Sequence, residues 1–290
     1  MILITGGRGF LGNALVQGIK QKFRDYRDKG DAVQAEKWRG YYIFDLPYHT
    51  IIDPDKWNPV ASKNSEAYRE TGIVGEDLRQ NIAKSNLVIH CAAIADLNES
   101  QANIEKNFAI NVEGTNNVIR YCREFKKPLI FISTCCIYGD AANDGKLLTE
   151  DVRVEPTEIY SMSKQRSEQD LKKQNGYLDY KIIRMGTLYG PGMRPALFNY
   201  IALQRARDKE NIPVHGTGDQ TRAYVYIDDA VQGILAVAEH GQNHETYNVA
   251  GDEEISVNKT IALAHELNHY TEHESSIMYT HIDDREGQFY

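Results

Sequence analysis

The chain has 290 residues, of which 41% are hydrophobic, enough for one large α/β domain or for a nucleotide-binding domain with a small second lobe. Its formal net charge is -8 and no basic stripe stands out, which argues against nucleic acid as a partner. No apolar run approaches membrane-spanning length, so no membrane association is expected.

The predicted start of the first strand and the small number of cysteines indicate where in the cell the protein is located. The first strand is predicted to begin at Met1 or Ile2, which leaves no room for a signal peptide. The four cysteines have no metal-type spacing, so no metal site is predicted. So few cysteines in a chain of this length fit a reducing environment, and a cytoplasmic location is expected.

Short aliphatic and β-branched runs recur along the first two thirds of the chain and predict buried strands. We assign five strands, at 2–5, 41–45, 87–93, 129–133 and 181–185. Helical patterns lie between them, including 10–19, 111–122 and 160–173. This alternation predicts a doubly wound parallel α/β sheet of the Rossmann type, covered by helices on both faces. Right-handed crossovers then place the carboxyl ends of the strands, where ligands bind, at one edge.

The alternation loosens after residue 192. A loop is predicted up to Arg222, then a short strand at 224–227 and a helix at 228–239. We therefore predict a main domain built from residues 1–186 and 222–250. The remaining residues, 187–221 and 251–290, would form a small lobe over the sheet edge.

A glycine-rich turn joins the first strand to the first helix. Its sequence contains the GxGxxG spacing in Gly6-Gly7-Arg8-Gly9-Phe10-Leu11-Gly12. Side chains in place of the glycines would block a bound pyrophosphate and the contact between helix and strand. The helix N-terminus also offers free N–H groups and the positive end of a dipole to phosphates. The turn therefore predicts a dinucleotide site that includes Gly6, Gly9, Phe10, Leu11 and Gly12.

The last residue of the second predicted strand bears on which dinucleotide binds. Asp45 could accept hydrogen bonds from both ribose hydroxyls, and its carboxylate would repel a 2′-phosphate, so NAD is favoured over NADP. Asp45 lies 33 residues past Gly12, against roughly 20 in the usual fingerprint. We attribute the excess to a charged extension of the first helix and its loop. Two alternatives stay open: Asp45 faces water, or Arg8 pairs with a 2′-phosphate.

Tyr160 and Lys164 have the spacing that brings two side chains to one face of a helix. An ammonium beside a phenol stabilises the phenolate, which would lower the pKa of the tyrosine towards the working range. Such a tyrosine can take a proton from a substrate hydroxyl while a hydride leaves for a nicotinamide. The fourth strand ends shortly before in Ser133-Thr134, and a hydroxyl there would hydrogen-bond the same substrate oxygen. The alternative is a surface pair on a helix.

Eight motifs follow one another over nearly the whole chain. They are TGGRGFLG at 5–12, GEDLR at 75–79, VIHCAAIAD at 88–96, STCCIYG at 133–139, YSMSK at 160–164, RMGTLYGPG at 184–192, GTGDQTRAYVYIDDA at 216–230 and REG at 285–287. In this order they resemble the extended short-chain dehydrogenase/reductase family of NAD-dependent nucleotide-sugar epimerases and dehydratases. The resemblance implies an enzyme with an NAD-binding main domain and a substrate-binding lobe. It also implies a homodimer formed through helices such as 111–122 and 160–173.

The resemblance further implies catalytic and cofactor roles. Thr134 would be the catalytic hydroxyl, Tyr160 the acid/base and Lys164 its partner, which also holds the nicotinamide ribose. Further cofactor contacts would come from Asp77 and Leu78 beside the adenine and from Ala92 and Ala93.

A nucleotide-diphosphate sugar is the substrate that the resemblance implies. Arg222 and Arg285 would clamp its diphosphate, because a planar guanidinium grips phosphate oxygens in pairs. Thr134, Cys135 and Thr187 would complete the substrate contacts. Family members usually carry an asparagine where Thr187 stands.

Two cysteines indicate which reaction is favoured. Dehydratases of this type have an acid and a base after the threonine, where this chain has Cys135 and Cys136. Without carboxylates the elimination of water loses its acid/base pair. Decarboxylating members usually carry a glutamate at the position of Cys136. Both of these activities are therefore disfavoured.

Two catalytic interpretations remain. A 4-epimerase similar to UDP-glucose 4-epimerase needs only Thr134, Tyr160, Lys164 and NAD. Alternatively, Cys136-Ile137-Tyr138 resembles the active-site cysteine segment of 3,5-epimerases, in which a thiol or thiolate moves a proton beside a transient ketone. Those enzymes need a second proton donor, a lysine or histidine, in a loop that here is residues 192–196 and has neither. Cys136 could instead be a small residue packed at the strand end.

Two other classes of protein are alternatives to this enzyme family. A dinucleotide sensor without catalysis typically loses the tyrosine or the lysine, and both are intact here. His265-Glu266-Leu267-Asn268-His269 matches the HExxH spacing of zinc proteases, and His273 follows one turn later. We interpret this segment as a surface helix with solvated histidines, which packs through Ile261, Ala264 and Leu267.

Overall fold

The computed structural model describes residues 1–7, 9–44, 76–139, 148–271 and 278–283. The strands are β1 (Ile2–Thr5), β2 (Tyr41–Phe44), β3 (Leu87–His90), β4 (Leu129–Thr134), β5 (Tyr180–Met185), β6 (Thr187–Tyr189), β7 (Ile212–His215), β8 (Thr221–Tyr226), β9 (Thr246–Val249), β10 (Glu254–Ser256) and β11 (Tyr279–Ile282). The α-helices are α1 (Phe10–Asp28), α2 (Ala32–Trp38), α3 (Glu76–Lys84), α4 (Leu97–Ala102), α5 (Ile104–Phe108), α6 (Gly114–Glu124), α7 (Ile159–Lys172), α8 (Phe198–Arg207), α9 (Ile227–His240) and α10 (Val257–Leu267). A π-helical turn (Ala109–Glu113) joins α5 to α6, and a 3₁₀ turn (Cys135–Tyr138) follows β4.

The central sheet has six strands in the order β2-β1-β3-β4-β5-β9, and every neighbouring pair is parallel. The chain moves outward from β1 to β2 and then crosses back to β3 on the other side of β1. This change of direction creates a crevice beyond the carboxyl ends of β1 and β3, where ligands bind in open α/β sheets. The predicted doubly wound parallel α/β fold is confirmed.

Helices cover both faces of this sheet, as the alternating side chains of β1 require. Ile2 and Ile4 pack into a core cluster with α1 and α9, which includes Leu15 and Ile234. Leu3 points to the opposite face and packs with side chains of α3, α6 and α7. Both clusters are almost fully buried, so packed side chains support β1 from both faces of the sheet.

Two small sheets lie later in the chain. One has the order β10-β8-β6, and the other pairs β11 with β7. A separate core cluster joins α8, α10 and β7. Strand β8 begins at Thr221 and so includes Arg222, which the sequence placed in a loop; antiparallel pairing of Arg222 with Ile255 extends the strand. The division into residues 1–186 and 222–250 against 187–221 and 251–290 stays a prediction.

The polar stretch after the glycine turn is helical. Helix α1 continues to Asp28, and Asp31 then caps α2 by accepting a hydrogen bond from the Gln34 amide at 3.0 Å. Glu239 ties these helices to α9, because it pairs with Lys22 at 2.6 Å and accepts from Trp38 Nε1 at 3.0 Å. Within the described ranges, no helix combines the length and the apolar surface needed to cross a bilayer.

Candidate active site

The glycine turn lies against the carboxyl end of β3. Gly6 has a φ of 72°, and a Cβ there would meet the Ala92 backbone nitrogen at 2.7 Å. A Cβ on Gly12 would lie 2.1 Å from the Gly6 carbonyl oxygen. Gly9 is the N-cap of α1, whose first turn contains no acidic side chain. The glycines therefore allow the turn to pack closely on itself and on β3, and the N-terminus of α1 presents backbone N–H groups that could meet an anion.

A cavity of about 1610 Å³ extends from this turn along the strand ends. Single-ligand pockets typically have roughly 300–1,000 Å³, so this one has room for two ligands side by side. Predicted site residues from six separate parts of the chain line it. They are Gly6, Gly9, Phe10, Leu11, Gly12, Ala92, Ala93, Thr134, Cys135, Cys136, Tyr160, Lys164, Thr187 and Arg222.

Thr134 and Tyr160 meet inside the cavity. Thr134 is the last residue of β4, and its side-chain oxygen accepts a hydrogen bond from the Cys136 amide at 3.2 Å. A hydrogen bond also joins the side chains of Thr134 and Tyr160. Because Tyr160 begins the first turn of α7, the end of a strand and the start of a helix bring the two hydroxyls together.

The pKa of Tyr160 is raised, whereas the sequence pattern predicted that Lys164 would lower it. Burial raises the pKa of the phenol above its ordinary value, and the charge of Cys136 adds to the rise. Arg194 and the hydrogen bond to Thr134 oppose it. The expected lowering by Lys164 is not seen, because the ammonium group donates to the Ile132 carbonyl at 2.7 Å instead. Tyr160 is therefore a neutral proton donor in the protein alone.

Lys164 is 3% exposed. Burial lowers its pKa to about 8, and the charges of Cys91 and Glu168 only partly offset this effect. Its ammonium also lies 4.7 Å from the centre of the Phe131 ring. The lysine lines the cavity one helical turn after Tyr160, where a ribose hydroxyl can supply the hydrogen bonds that burial has removed.

The two adjacent cysteines have different surroundings. The Cys135 thiol donates to the Arg184 carbonyl at 3.4 Å, and burial raises its pKa to about 12. Cys136 is exposed to the cavity. The cavity walls still desolvate its thiol and raise its pKa, whereas a hydrogen bond with Thr134 and the charge of Arg222 lower it. Cys136 is thus the thiol that a substrate could meet.

Two arginines bring positive charge to the substrate side of the cavity. Arg222 lies on β8 and donates to the Thr221 carbonyl at 2.7 Å. Arg194 follows the Gly190-Pro191-Gly192 turn and pairs with Asp96 at 3.5 Å across the cavity. Arg194 was not among the predicted residues, because nothing in the sequence shows that its loop faces Tyr160.

Several predicted residues are not part of the described cavity wall. Asp45 and Arg285 lie outside the described residues, as do Arg8 and His273. Asp77 belongs to α3, but its side chain is not among those described. Leu78 is fully buried in the core cluster shared with α6 and does not line the cavity.

Buried polar contacts that sequence reasoning missed hold α7 in place. Asn111 lies in the π-helical turn, and its side chain accepts from the Ile94 amide at 2.8 Å and donates to Ser163 at 3.0 Å. Its carbonyl accepts hydrogen bonds from Thr115 and Ser167. The only signal for Asn111 in the sequence is a polar residue within an apolar helical pattern. A π-helical turn often marks a functional site, but the sequence does not show where such a turn occurs.

A buried ion pair fixes the same helix to β5. Arg184 binds Glu168 through two hydrogen bonds of 3.1 and 2.9 Å, and both side chains are about 3% exposed. Arg184 also donates to the Tyr138 hydroxyl at 2.9 Å. Removing one partner of such a pair leaves an uncompensated buried charge. These contacts set the position of the helix that carries Tyr160 and Lys164.

The HExxH segment differs from the interpretation as a solvated helix face. His265 is 1% exposed and stacks on Tyr270 with 4.6 Å between ring centroids, whereas Leu267 is 69% exposed. Helix α10 ends at Leu267, so His269 lies beyond it with a φ of 60°. The two histidines therefore do not share a helix face, and no cluster of metal-ligating side chains occurs in the described ranges.

Fold and site together define a Rossmann-fold enzyme of the dinucleotide-dependent type. The chain belongs to the NAD dependent epimerase/dehydratase family, whose family model matches residues 2–250. NAD is accordingly its cofactor, and the glycine turn fits this group, since a Cβ on Gly6 or Gly12 would collide with backbone atoms.

Relatives in this family differ in their reactions. The chain is 27% identical to an uncharacterised UDP-glucose epimerase, YtcB, of Bacillus subtilis, over 92% of this chain and 81% of the relative. It is 28% identical to a dTDP-glucose 4,6-dehydratase of Neisseria meningitidis, over 92% and 76%. A UDP-glucuronic acid 4-epimerase of Bacillus cereus, solved with UDP-glucuronic acid and NAD, shares the fold with a TM-score of 0.76 at 22% identity, over 99% and 87%.

Proposed function

We propose that the protein is a nucleotide-sugar 4-epimerase that works by transient oxidation of the sugar at C4. The observation that carries this proposal is the placement of Thr134, Tyr160 and Lys164 in the cavity that begins at the glycine turn. The relatives support a nucleotide-diphosphate sugar as the substrate, since their names include UDP-sugar epimerases and dTDP-sugar dehydratases.

The chain's own residues divide the work. When bound, NAD would supply a reversible hydride acceptor at C4. Gly6, Gly9 and Gly12, with Phe10 and Leu11, would hold the pyrophosphate end, while Lys164 would hold the nicotinamide ribose. Asp45, Asp77, Ala92 and Ala93 stay predicted cofactor contacts, whereas Leu78 is buried in the core and does not line the cavity.

The proton follows a separate path. Tyr160, whose phenolate the charge of the bound cofactor would stabilise, would take the proton from the C4 hydroxyl and later give it back, with Lys164 as its partner one helical turn away. Thr134 would hydrogen-bond the same oxygen. Arg222 and Arg285 would clamp the diphosphate, with Cys135 and Thr187 as further substrate contacts. A homodimer and a cytoplasmic location stay predictions.

Cys136 favours a second candidate, a 3,5-epimerase-like enzyme. Its thiol faces the cavity beside Thr134, next to the position where a C4 ketone would form. A nucleotide-sugar dehydratase would use the same first step, and a reductase would use the same residues to transfer the hydride in the opposite direction. A dinucleotide sensor without catalysis does not account for the presence of both Tyr160 and Lys164 in the cavity wall.

The substitution Tyr160→Phe tests the proposal. Removing the phenolic proton should lower turnover of nucleotide sugars by roughly 10²–10⁴-fold, the usual contribution of general acid–base catalysis. Binding of NAD should persist, since the ring is kept. The matched control is Tyr177→Phe, because Tyr177 is 73% exposed and does not line the cavity.

The measurement follows a panel of UDP-, dTDP- and GDP-sugars by NMR and NAD affinity by calorimetry. Full turnover in Tyr160→Phe would contradict the proposed role. If no sugar in the panel is converted by the wild-type protein while NAD binds tightly, the sensor is the better account.

A further inference from the structure

The cavity contains a carboxylate that the steps above do not use. Glu158 lines the cavity and is the N-cap of α7, two residues before Tyr160. Its backbone is fixed on both sides by Ser161, whose hydroxyl donates to the Glu158 carbonyl at 2.9 Å and accepts from the Glu158 amide at 3.3 Å. The side chain is therefore presented from a rigid position at the start of the helix.

The charge of Glu158 affects two side chains of the proposed active site. Glu158 lines the same cavity as Cys136 and Tyr160, and its negative charge raises the pKa of both side chains. The positive charge of Arg222 partly offsets the rise that burial causes in the pKa of Glu158. Carboxylate, thiol and phenol thus line one cavity together with Thr134.

The carboxyl group and the thiol are suited to opposite tasks. Burial raises the pKa of both groups, but a carboxyl group ionises well before a thiol in the same surroundings. Glu158 is therefore available as a proton acceptor when Cys136 is still a proton donor. Two groups of different acidity at one site are the usual arrangement for paired acid–base chemistry.

We propose that Glu158 and Cys136 form a proton-transfer pair at the carbon next to the C4 ketone. This inference rests on the proposed oxidation at C4, because only a ketone makes the neighbouring C–H acidic. It supplies, from the start of α7, the second group that loop 192–196 lacks.

The step balances without any further reactant. The Glu158 carboxylate takes the proton from the carbon, and the C–H electron pair forms the enolate, whose oxygen is held by Thr134 and Tyr160. The Cys136 thiol returns a proton to the carbon as the carbonyl re-forms. Glu158 then gives its proton to the Cys136 thiolate through solvent, which restores both groups.

Substrate binding would strengthen the base. A diphosphate that engages Arg222 draws this cation away from Glu158. Loss of the opposing charge raises the affinity of the carboxylate for a proton. Proton abstraction would therefore be favoured only after the nucleotide part of the substrate is in place.

The test uses the full chain loaded with NAD in heavy water, with UDP-glucose and dTDP-glucose as probes. Two quantities are measured: deuterium entering the carbons beside C4, by NMR, and the near-ultraviolet absorbance of the reduced nicotinamide. For Glu158→Gln we expect the ratio of deuterium entry to nicotinamide reduction to fall by about 100-fold or more. Cys136→Ala should lower the same ratio.

The control is Glu155→Gln, because Glu155 is a nearby carboxylate that does not line the cavity and pairs with Arg153 at 3.1 Å. This variant should keep the wild-type ratio. Nicotinamide reduction without deuterium entry in the wild-type protein would overturn this inference alone, as would an unchanged ratio in Glu158→Gln. No nicotinamide reduction with either sugar would overturn the proposed function, and this inference with it.

Discussion

At the residue scale, burial controls the acid–base behaviour of the side chains around the cavity. Tyr160 and Cys136 are both shifted towards their protonated forms, while Lys164 and His90 are shifted towards their neutral forms. Each shift has the sign that desolvation of a charged group requires. In the protein alone these four side chains are therefore shifted towards their uncharged forms, and the charges of cofactor and substrate would change their protonation.

The burial of His90 should make the stability of the protein depend on pH. It is fully buried between Thr5 and Thr115, with Nε2 2.9 Å from the Thr115 hydroxyl, and burial lowers its pKa from 6.5 to about 3. Between these two values the unfolded chain binds a proton that the folded protein does not, so stability falls as the pH falls. From pH 6.5 to about pH 4.5 this loss should reach about 2 kcal/mol.

The change that tests it is His90→Gln, which keeps hydrogen-bonding groups but cannot titrate. Its free energy of unfolding should depend less on pH over this window than that of the wild-type protein, as measured by urea denaturation. His240→Gln is the control, because the His240 side chain is 80% exposed. An identical pH dependence in the wild-type protein and His90→Gln would contradict the explanation.

At the element scale, local sequence patterns predicted the parts of the site that depend on local geometry. The GxGxxG turn and the Tyr160–Lys164 pair lie where a strand–turn–helix and a helix face should place them. The start of β8 at Thr221 was missed, because it depends on pairing with β10. The burial of His265 was missed because the helical pattern does not show which face meets α8.

Glu158 shows a further limit of sequence patterns. Its place in the cavity depends on where α7 begins, and helix boundaries are set by capping contacts such as those of Ser161. The sequence therefore predicted which helix carries the tyrosine but not that its N-cap faces the same cavity.

The glycine turn can be tested as an element. In Gly12→Ala the new Cβ would meet two backbone groups, the Gly6 carbonyl and the Gly7 Cα at 2.7 Å, so the turn must move. A ligand that binds only the folded state raises the melting temperature. We expect NAD to raise the melting temperature of the wild-type protein and to have little effect on Gly12→Ala.

The matched control is Gly176→Ala. Gly176 has a φ of 82° and open space around it, so alanine there strains the backbone without touching the cavity. This variant should be less stable but should keep the NAD-induced rise, as measured by differential scanning fluorimetry. A full rise in Gly12→Ala would show that the turn does not hold the cofactor.

At the scale of the whole molecule, the parallel sheet assembles the site. The glycine turn follows β1, Ala92 follows β3, Thr134 ends β4 and Tyr160 lies in the first turn of α7, and these points are far apart in sequence. Their convergence follows from the change of direction between β1 and β3 together with the common orientation of all six strands. The fold class could be predicted for this reason, because strand–helix alternation alone implies the geometry.

The central claim is that the sugar C4 lies against the nicotinamide while Tyr160 handles the proton. The most direct test is a nucleotide sugar carrying deuterium at C4, turned over in ordinary water with the NAD-loaded protein. We predict that the label appears on the bound nicotinamide during turnover and returns to C4 of the product. Loss of the label to water, or a product formed without any label reaching the cofactor, would contradict the account.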